Sequence, residues 1–144
     1  MALMPVDEAL GRILDGAAPA TEPELLPLAQ CYGRVLARDL LALRTHPPFA
    51  ASAMDGYAVR ADEAVAGAKL TLQGEAAAGH AFDGPLAAGS TVRIFTGAPV
   101  PEGADAILIQ ENAEKLDDGM VLVNEAPEAG RYIRPAGIDF TEGK

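Results

Sequence analysis

The sequence predicts a mostly β chain with helices near its N-terminus, an α+β arrangement whose β-rich part forms a small barrel-like module. Two observations lead to this fold class. Up to about residue 40, apolar residues recur at the spacing of a helix face, which is typical of amphipathic helices. From residue 55 onward, short β-like runs alternate with glycine and proline, a texture typical of small barrels and sandwiches.

The first helix is predicted over residues 5–15. Pro5 suits a first helical position, because the N–H that proline lacks is not needed there, and Gly16 is a stop signal. The apolar face of this helix is formed by Val6, Leu10, Ile13 and Leu14. Prolines then make residues 17–24 a loop.

A second helix is predicted from Pro27 to Ala37, followed by a strand over residues 38–44. The helical spacing is kept by Leu28, Cys31, Tyr32, Val35 and Leu36. Gly33 inside this segment costs about 1 kcal/mol relative to alanine, which weakens the helix without excluding it. The proline pair at 47–48 forces a loop after the strand.

Five strands are predicted in the second part of the chain. They are Tyr57–Val59, Leu70–Gln73, Thr91–Phe95, Ala106–Gln110 and Met120–Val123. Asp117, Asp118 and Gly119 stand between two apolar runs, and Asp and Gly tolerate the positive φ angles that a tight hairpin needs. The C-terminal stretch RYIRPAGIDFTEGK carries no closing helix, so we expect the chain to be cut within a larger architecture.

The composition excludes several classes of function. With 11 Lys and Arg against 21 Asp and Glu, the net charge of −10 argues against a general nucleic-acid binder or a protein of anionic membrane surfaces. No apolar run approaches the roughly 20 residues that span a bilayer, and the N-terminus lacks the apolar core of a signal peptide. The single cysteine, Cys31, excludes an internal disulfide and a multi-cysteine zinc site, so a cytoplasmic location is expected.

Local motifs give little support to hydrolases or to proteins with nucleotide-binding loops. Neither His46 nor His80 lies in a metal-ligand pattern, and His46 is expected to be a solvated loop residue. Ser52 and Ser90 lack the G-x-S-x-G context of a nucleophile. The sequence contains neither G-x-G-x-x-G nor G-x-x-x-x-G-K-[ST].

Two segments contain candidate site residues. Asp55 lies in SAMDGYAVR (52–60), where Asp-Gly between apolar residues is a hairpin signal; the alternative is an oxygen ligand for Mg²⁺ or a carboxylate that orients a donor. Thr96 follows the run TVRIF and precedes Gly97, where a ligand can approach the backbone; the alternative is a rigid connection between strands.

For three further charged residues, an ordinary surface role is expected and not a role in ligand binding. Glu111 follows the apolar AILIQ and is expected to be solvated. Arg131 and Arg134 could bind an anion, but on an acidic protein we expect them to pair with surface carboxylates.

Taken together, these segments resemble a known enzyme family. PPF at 47–49 and SAMDGYAVR at 52–60 are followed by TGAPVPEGADAILIQE at 96–111 and RPAGIDF at 134–140. The order and spacing of these blocks are similar to those of the molybdopterin molybdenumtransferase (MoeA) family, N-terminal region, which is related to the gephyrin E domain. The resemblance covers essentially the whole chain.

The resemblance implies a transferase of molybdenum cofactor biosynthesis. Enzymes of this family insert molybdenum from molybdate into adenylylated molybdopterin and release AMP with help from a divalent cation such as Mg²⁺. By resemblance, Asp55 and Thr96 match positions important for activity, and Asp55 is also the candidate Mg²⁺ ligand. The motif positions expected to contact substrate are Ser52, Met54, Gly56, Tyr57, Arg60, Gly97 and Pro99.

The resemblance also implies that the chain is the N-terminal part of such an enzyme. Residues 1–44 and 125–144 would form an elongated dimerisation subdomain, with a β-rich module over 45–124 inserted in it. The α/β domain that holds molybdopterin would follow Lys144, and in a homodimer the module would face that domain of the partner subunit. The chain alone would then be inactive. The alternative is a non-catalytic protein-interaction scaffold module of the gephyrin E type.

Two positions depart from the family pattern. Ala50 and Ala51 stand where an Asp-Asn pair is common, which removes side chains that can bond to the loop backbone. Ile138 in RPAGIDF stands where an acid is common, while Gly137 and Asp139 are kept.

Overall fold

A computed structural model of the chain describes residues 4–17 and 22–144, and the first predicted helix is confirmed. This helix, α1, spans Val6–Asp15 and begins directly after Pro5. Acidic side chains in its first turn and a basic one in its last turn complement the helix dipole. Four residues of the loop predicted over 17–24 lie outside the described residues.

The second helix predicted over residues 27–37 is wrong. A 3₁₀-helix of three residues, Leu28–Gln30, forms there, and Gly33 has a φ of 75°, outside the right-handed helical region. The apolar side chains of this segment are exposed, with Tyr32 at 99%, so they lack the packing that stabilises most helices in proteins.

The strand predicted over residues 38–44 is wrong as well. The chain bends within this segment, and Ala42 exchanges backbone hydrogen bonds with Gly143 and Lys144 in place of a strand partner. The chain divides into two units, Met1–Leu40 and Leu41–Lys144. Across the described part of both units, no helix combines the length and apolarity needed to cross a membrane.

The second unit is mostly β, as predicted. In chain order, the strands of the described residues are β1 (Ala51–Ser52), β2 (Gly56–Val59), β3 (Lys69–Ala76), β4 (Ser90–Ile94), β5 (Ala106–Ile109), β6 (Ala113–Lys115), β7 (Met120–Val123) and β8 (Ile133–Arg134). Strands β2 to β7 form one curled half-barrel sheet in the order β5-β2-β4-β3-β7-β6, and β1 pairs with β8. Neighbouring strands run antiparallel except β3 and β4, which are parallel.

Both faces of the large sheet pack against apolar side chains. Along β2, Tyr57 and Val59 enter one cluster and Ala58 enters the other, the alternation of a strand. The first cluster consists of Tyr57, Val59, Ala64, Leu70, Ala106, Leu108, Val121 and Val123. The second consists of Ala58, Ala76, Leu86, Val92, Ile94, Ala98 and Ile107. Because every residue of β2 is buried, this strand is a firm base for the residues that precede it.

The five predicted strands and the predicted hairpin are confirmed. They correspond to β2, β3, β4, β5 and β7, with β3 extending further than predicted. The turn at residues 117–119 joins β6 to β7, with Gly119 at a φ of 79° and Asp118 Oδ1 accepting from Met120 N–H at 3.1 Å. Strand β6 escapes prediction because its sequence, AEK, contains no β-branched or aromatic residue.

The pairing of β1 with β8 brings two distant motifs side by side. His46 forms an isolated antiparallel bridge with Phe140, and Gly137 N–H donates to Pro47 O at 2.8 Å. The RPAGIDF segment therefore lies along the chain that leads into SAMDGYAVR.

Candidate functional site

The segment SAMDGYAVR does not form a hairpin. Its first residue ends β1 and Gly56 begins β2, but β1 pairs with β8 whereas β2 pairs with β4 and β5. Met54 and Asp55 lie in the bend by which the chain passes from the small sheet to the large one. The hairpin alternative for Asp-Gly is therefore wrong, and Asp55 directly precedes a buried strand.

Asp55 and Thr96 are joined by two hydrogen bonds. Asp55 Oδ1 accepts from the backbone N–H and from the hydroxyl of Thr96, at 2.8 Å each. The two residues are 41 positions apart, and they meet because β2 and β4 are neighbours in the sheet. Thr96 is exposed and Asp55 is partly exposed, so the pair faces solvent.

A β-turn shapes the Thr96 loop. Ala98 N–H donates to Phe95 O at 2.9 Å, and Gly97, the third residue of the turn, has a φ of 84° that glycine adopts without strain. Gly97 N–H donates to Ser52 O at 2.9 Å, and Ser52 N–H donates to Ala98 O at 3.0 Å. These backbone bonds attach the turn to β1.

Backbone bonds also hold the two alanines that depart from the family pattern. Val100 N–H donates to Ala50 O at 2.9 Å, and buried Ala51 forms an antiparallel bridge with Pro99. The approach to the bend is therefore supported without the side chains of an Asp-Asn pair.

Ser52 and Gly56 shape the bend from either side. The buried hydroxyl of Ser52 donates to Met54 O at 2.7 Å, which fixes the chain just before Asp55. A Cβ on Gly56 would lie 2.9 Å from Ile109 Cα and closer still to a neighbouring carbonyl oxygen on β5. The close approach of β2 to β5 therefore requires glycine at this position.

Arg93, a cation that no sequence motif indicated, lies in the same cluster. Arg93 on β4 donates from Nη1 to Gly56 O at 3.2 Å and from Nη2 to Gln110 Oε1 at 2.8 Å. The guanidinium carbon lies 5.1 Å from the ring centroid of Tyr57 and 4.8 Å from that of Phe95. Two features of the sequence could have indicated this cluster: the arginine inside the β-like run TVRIF and the glutamine at the end of AILIQ.

The pKa of Asp55 is lowered below its ordinary value of 3.8. The backbone N–H of Thr96 is the largest cause and the Thr96 hydroxyl the second, because both donate to the charged form. The positive charge of Arg93 adds to them, while partial burial acts in the opposite direction and is outweighed. Asp55 is therefore an ionised carboxylate at neutral pH.

Two predicted contact residues are poorly placed to meet a ligand at this pair, Arg60 because of its distance and Tyr57 because of its burial. Arg60 follows the far end of β2, about 16 Å from Asp55 at the usual rise of a strand, and donates to Leu86 O at 3.4 Å. Tyr57 is only 7% exposed, with its ring under a guanidinium. The predicted residues that the bend and the turn bring together are Ser52, Met54, Asp55, Gly56, Thr96, Gly97 and Pro99.

The other charged candidates have local neighbours. Arg134 forms a 2.8 Å ion pair with Asp139, which confirms its expected pairing with a carboxylate. The second oxygen of Asp139 lies 3.7 Å from Nε2 of the exposed His46. Arg131 lies over an aromatic ring, 4.8 Å from its centroid, and Glu111 is exposed as predicted.

Asp55 retains one oxygen for a cation. Its Oδ2 takes part in none of the hydrogen bonds found among residues 4–17 and 22–144. In the same described ranges, no three His, Cys, Asp or Glu side chains are grouped to hold a metal. Mg²⁺ is commonly held by one or two carboxylates with waters and substrate phosphates, so Asp55 fits a shared site and not an all-protein cage.

Comparison with known proteins gives the family. Residues 4–144 match the family described as MoeA N-terminal region (domain I and II). The chain is 35% identical over 141 residues to the molybdopterin molybdenumtransferase of Haemophilus influenzae, covering 98% of this chain and 35% of that protein. It is 31% identical over 157 residues to the gephyrin of Dictyostelium discoideum, covering 98% of this chain and 22% of that protein.

A solved structure agrees with these relatives. The crystal structure of the molybdopterin biosynthesis moeA protein from Pyrococcus horikoshii OT3 superposes with a TM-score of 0.79 at 32% identity, covering 99% of this chain and 39% of that one. The chain thus spans well under half the length of the relatives it matches. It belongs to the family of the MoeA N-terminal region and is homologous to molybdopterin molybdenumtransferases and to gephyrin.

Proposed function

We propose that the chain is the N-terminal part of a molybdenum-insertion enzyme of molybdenum cofactor biosynthesis. In this reaction molybdenum passes from molybdate to the dithiolene of adenylylated molybdopterin, and AMP is released. The chain contributes Asp55 and Thr96 to a composite site whose other half lies in an α/β domain of the partner subunit. Family membership over residues 4–144 supports the reaction class.

The two hydrogen bonds between Asp55 and Thr96 carry the proposal. Because the Thr96 hydroxyl donates its one hydrogen bond to the ionised carboxylate of Asp55, its oxygen can act toward a ligand only as an acceptor, as can Asp55 Oδ2. The pair therefore offers oxygen acceptors to solvent. Such an arrangement attracts a cation or a hydrogen-bond donor and repels a bare phosphate.

These acceptors suit a site in which a cation lies between the protein and an adenylate. Asp55 would hold Mg²⁺ through Oδ2, while Thr96 keeps the carboxylate ionised and fixed in direction. The cation would supply charge neutralisation at the phosphate as AMP leaves. Met54, Gly97 and Pro99 are the neighbouring residues with enough exposed surface to meet the substrate.

We propose that the enzyme works as a homodimer. Large apolar side chains of the first unit are exposed, namely Val6, Leu10, Ile13, Leu14, Leu25, Leu28, Tyr32, Val35, Leu36 and Leu40. Four of them share the apolar face of α1, and α1 has no buried residue. An amphipathic helix gains most of its stability by burying such a face, and a second copy of the chain would bury it in the dimer.

The domain division of the family is part of the same proposal. It consists of a dimerisation subdomain of residues 1–44 and 125–144 and a module of residues 45–124. The backbone hydrogen bonds of Ala42 with Gly143 and Lys144 support the association of residues 1–44 with the C-terminal segment, whereas the bridge between His46 and Phe140 links that segment to the module. The cytoplasmic location stays a prediction.

The test compares Asp55→Asn and Thr96→Val in a protein that joins this segment to its molybdopterin-binding domain. AMP release from adenylylated molybdopterin is followed with molybdate and Mg²⁺ present. Each variant should slow release by about 10- to 100-fold, the usual effect of losing a group that holds or orients a metal ligand.

Asp62→Asn is the matched control, because Asp62 is an exposed carboxylate beyond the far end of β2. It should release AMP at the wild-type rate. Wild-type turnover of Asp55→Asn at saturating Mg²⁺ would remove Asp55 from the mechanism and favour a non-catalytic interaction module.

A further inference from the structure

We propose that Arg93 is the positioning residue of the Asp55–Thr96 pair, because its guanidinium holds the three strand ends from which the candidate site is built. The inference rests on the proposed function for what the pair does. Its physical basis is the set of contacts that Arg93 makes.

The three strand ends lie at one edge of the large sheet. Strand β2 stands between β5 and β4 and runs antiparallel to both. Its first residue, Gly56, therefore pairs with the last residue of each neighbour, Ile94 on β4 and Ile109 on β5. Asp55 directly precedes Gly56, and Thr96 follows β4, so both depend on how these ends are held.

Arg93 contacts a group at each of these ends. On β2 it donates to Gly56 O at 3.2 Å, and after β5 it donates to Gln110 Oε1 at 2.8 Å. After β4 it stacks on Phe95, the residue before Thr96, at 4.8 Å. Gln110 N–H in turn donates to the backbone oxygen of Asp55 at 3.2 Å, which closes the circle of contacts.

The guanidinium of Arg93 is engaged in hydrogen bonds and aromatic contacts and not in an ion pair. Its register neighbour on β3 is Glu75, yet the ion pairs found in the described part of the chain do not include Arg93. The guanidinium turns instead to a carbonyl, an amide oxygen and two rings. A planar fork between aromatic faces has a defined direction, which a lysine ammonium lacks.

Hydrogen exchange of the Thr96 amide, which donates to Asp55, tests the inference in the chain as it stands. Arg93→Met should speed its exchange by about tenfold, because the two loops then separate more often. Arg93→Lys should lie between wild type and Arg93→Met, since it keeps the charge near the rings and loses the fork. Gln110→Met removes one partner of the fork and should speed exchange less than Arg93→Met.

Arg131→Met is the matched control, since Arg131 also stacks on an aromatic ring, 4.8 Å from the Tyr132 centroid, outside the cluster of strand ends. It should leave Thr96 exchange unchanged. Unchanged exchange in Arg93→Met overturns the inference. So does an equal acceleration at the core amide of Val92, because that marks a general loss of stability.

Measurements of turnover distinguish the positioning role of Arg93 from the catalytic role proposed for Asp55 and Thr96. In the protein with its molybdopterin-binding domain, Arg93→Met should lower kcat by about tenfold with little change in KM, and Arg93→Lys should recover part of the loss. Faster Thr96 exchange with wild-type turnover supports the positioning role and contradicts the catalytic role of the pair. Lower turnover with unchanged Thr96 exchange contradicts the positioning role.

Discussion

Asp55 Oδ1 lies 2.8 Å from both the backbone nitrogen and the hydroxyl oxygen of Thr96, and both groups donate to it. One carboxylate oxygen thus ties the bend before β2 to the turn after β4. Because both donors favour the ionised carboxylate, the same bonds set its position and its charge. Two blocks of the family pattern therefore act as one structural unit.

Removing the Thr96 hydroxyl should raise the pKa of Asp55 toward its ordinary value of 3.8. In Thr96→Val the backbone N–H, the larger cause of the lowered pKa, remains, so we expect a partial recovery. Thr96→Ser keeps a hydroxyl and should stay close to wild type. NMR titration of the Asp55 carboxyl carbon measures all three. A pKa in Thr96→Val equal to that of wild type would show that the hydroxyl does not donate to Asp55 in solution.

The lowered pKa of Asp55 also predicts an acid-dependent stability difference. The folded state favours the ionised carboxylate, so the stability that Asp55 contributes is present above its ordinary pKa of 3.8 and is lost as pH falls through the lower pKa of the folded state. The free energy of unfolding of wild type should exceed that of Asp55→Asn by a constant amount above about pH 5, and this excess should shrink progressively as pH falls below about 4. Urea titrations between pH 7 and pH 2.5 measure it. A difference that does not change with pH contradicts the prediction.

The β-rich part of the chain could be predicted because its signals are local. Each of the five runs alternates or is apolar over three to five residues, and glycine or proline stands close to one or both ends of each run, so strands and turns are indicated without help from distant residues. The hairpin at Gly119 was predictable for the same reason. The resemblance of ordered blocks then indicated Asp55 and Thr96 as a set.

Features that depend on contacts between distant segments could not be predicted. The helical spacing from Leu28 to Leu36 is real, but those side chains are exposed in the single chain, and no packed face stabilises a helix there. The Asp-Gly of SAMDGYAVR has hairpin spelling, yet its flanks join different sheets. The contacts of Arg93 could be inferred only once β5, β2 and β4 are known to be neighbours in the sheet.

Gly56→Ala should destabilise the second unit by about 1–3 kcal/mol. The added Cβ would meet the β5 backbone, with Ile109 Cα at 2.9 Å, and backbone cannot move aside as a flexible side chain can. Gly119→Ala is the control, since it has open space and meets only the strain of a positive φ, about 1 kcal/mol. Urea unfolding at neutral pH compares them. A Gly56→Ala protein as stable as wild type would show that β2 and β5 lie further apart.

The exposed face of α1 predicts that a charge placed there weakens dimerisation. Ile13 is 69% exposed in the single chain, and burying an isoleucine side chain against a second copy contributes about 1.5–3 kcal/mol. Ile13→Glu should therefore raise the dissociation constant of the dimer by about tenfold or more, measured by sedimentation equilibrium. Val65→Glu, at an apolar residue of the second unit that is 54% exposed, should leave dimerisation unchanged. A wild-type chain that stays monomeric at high concentration, or an equal effect of Val65→Glu, would contradict a dimer formed through α1.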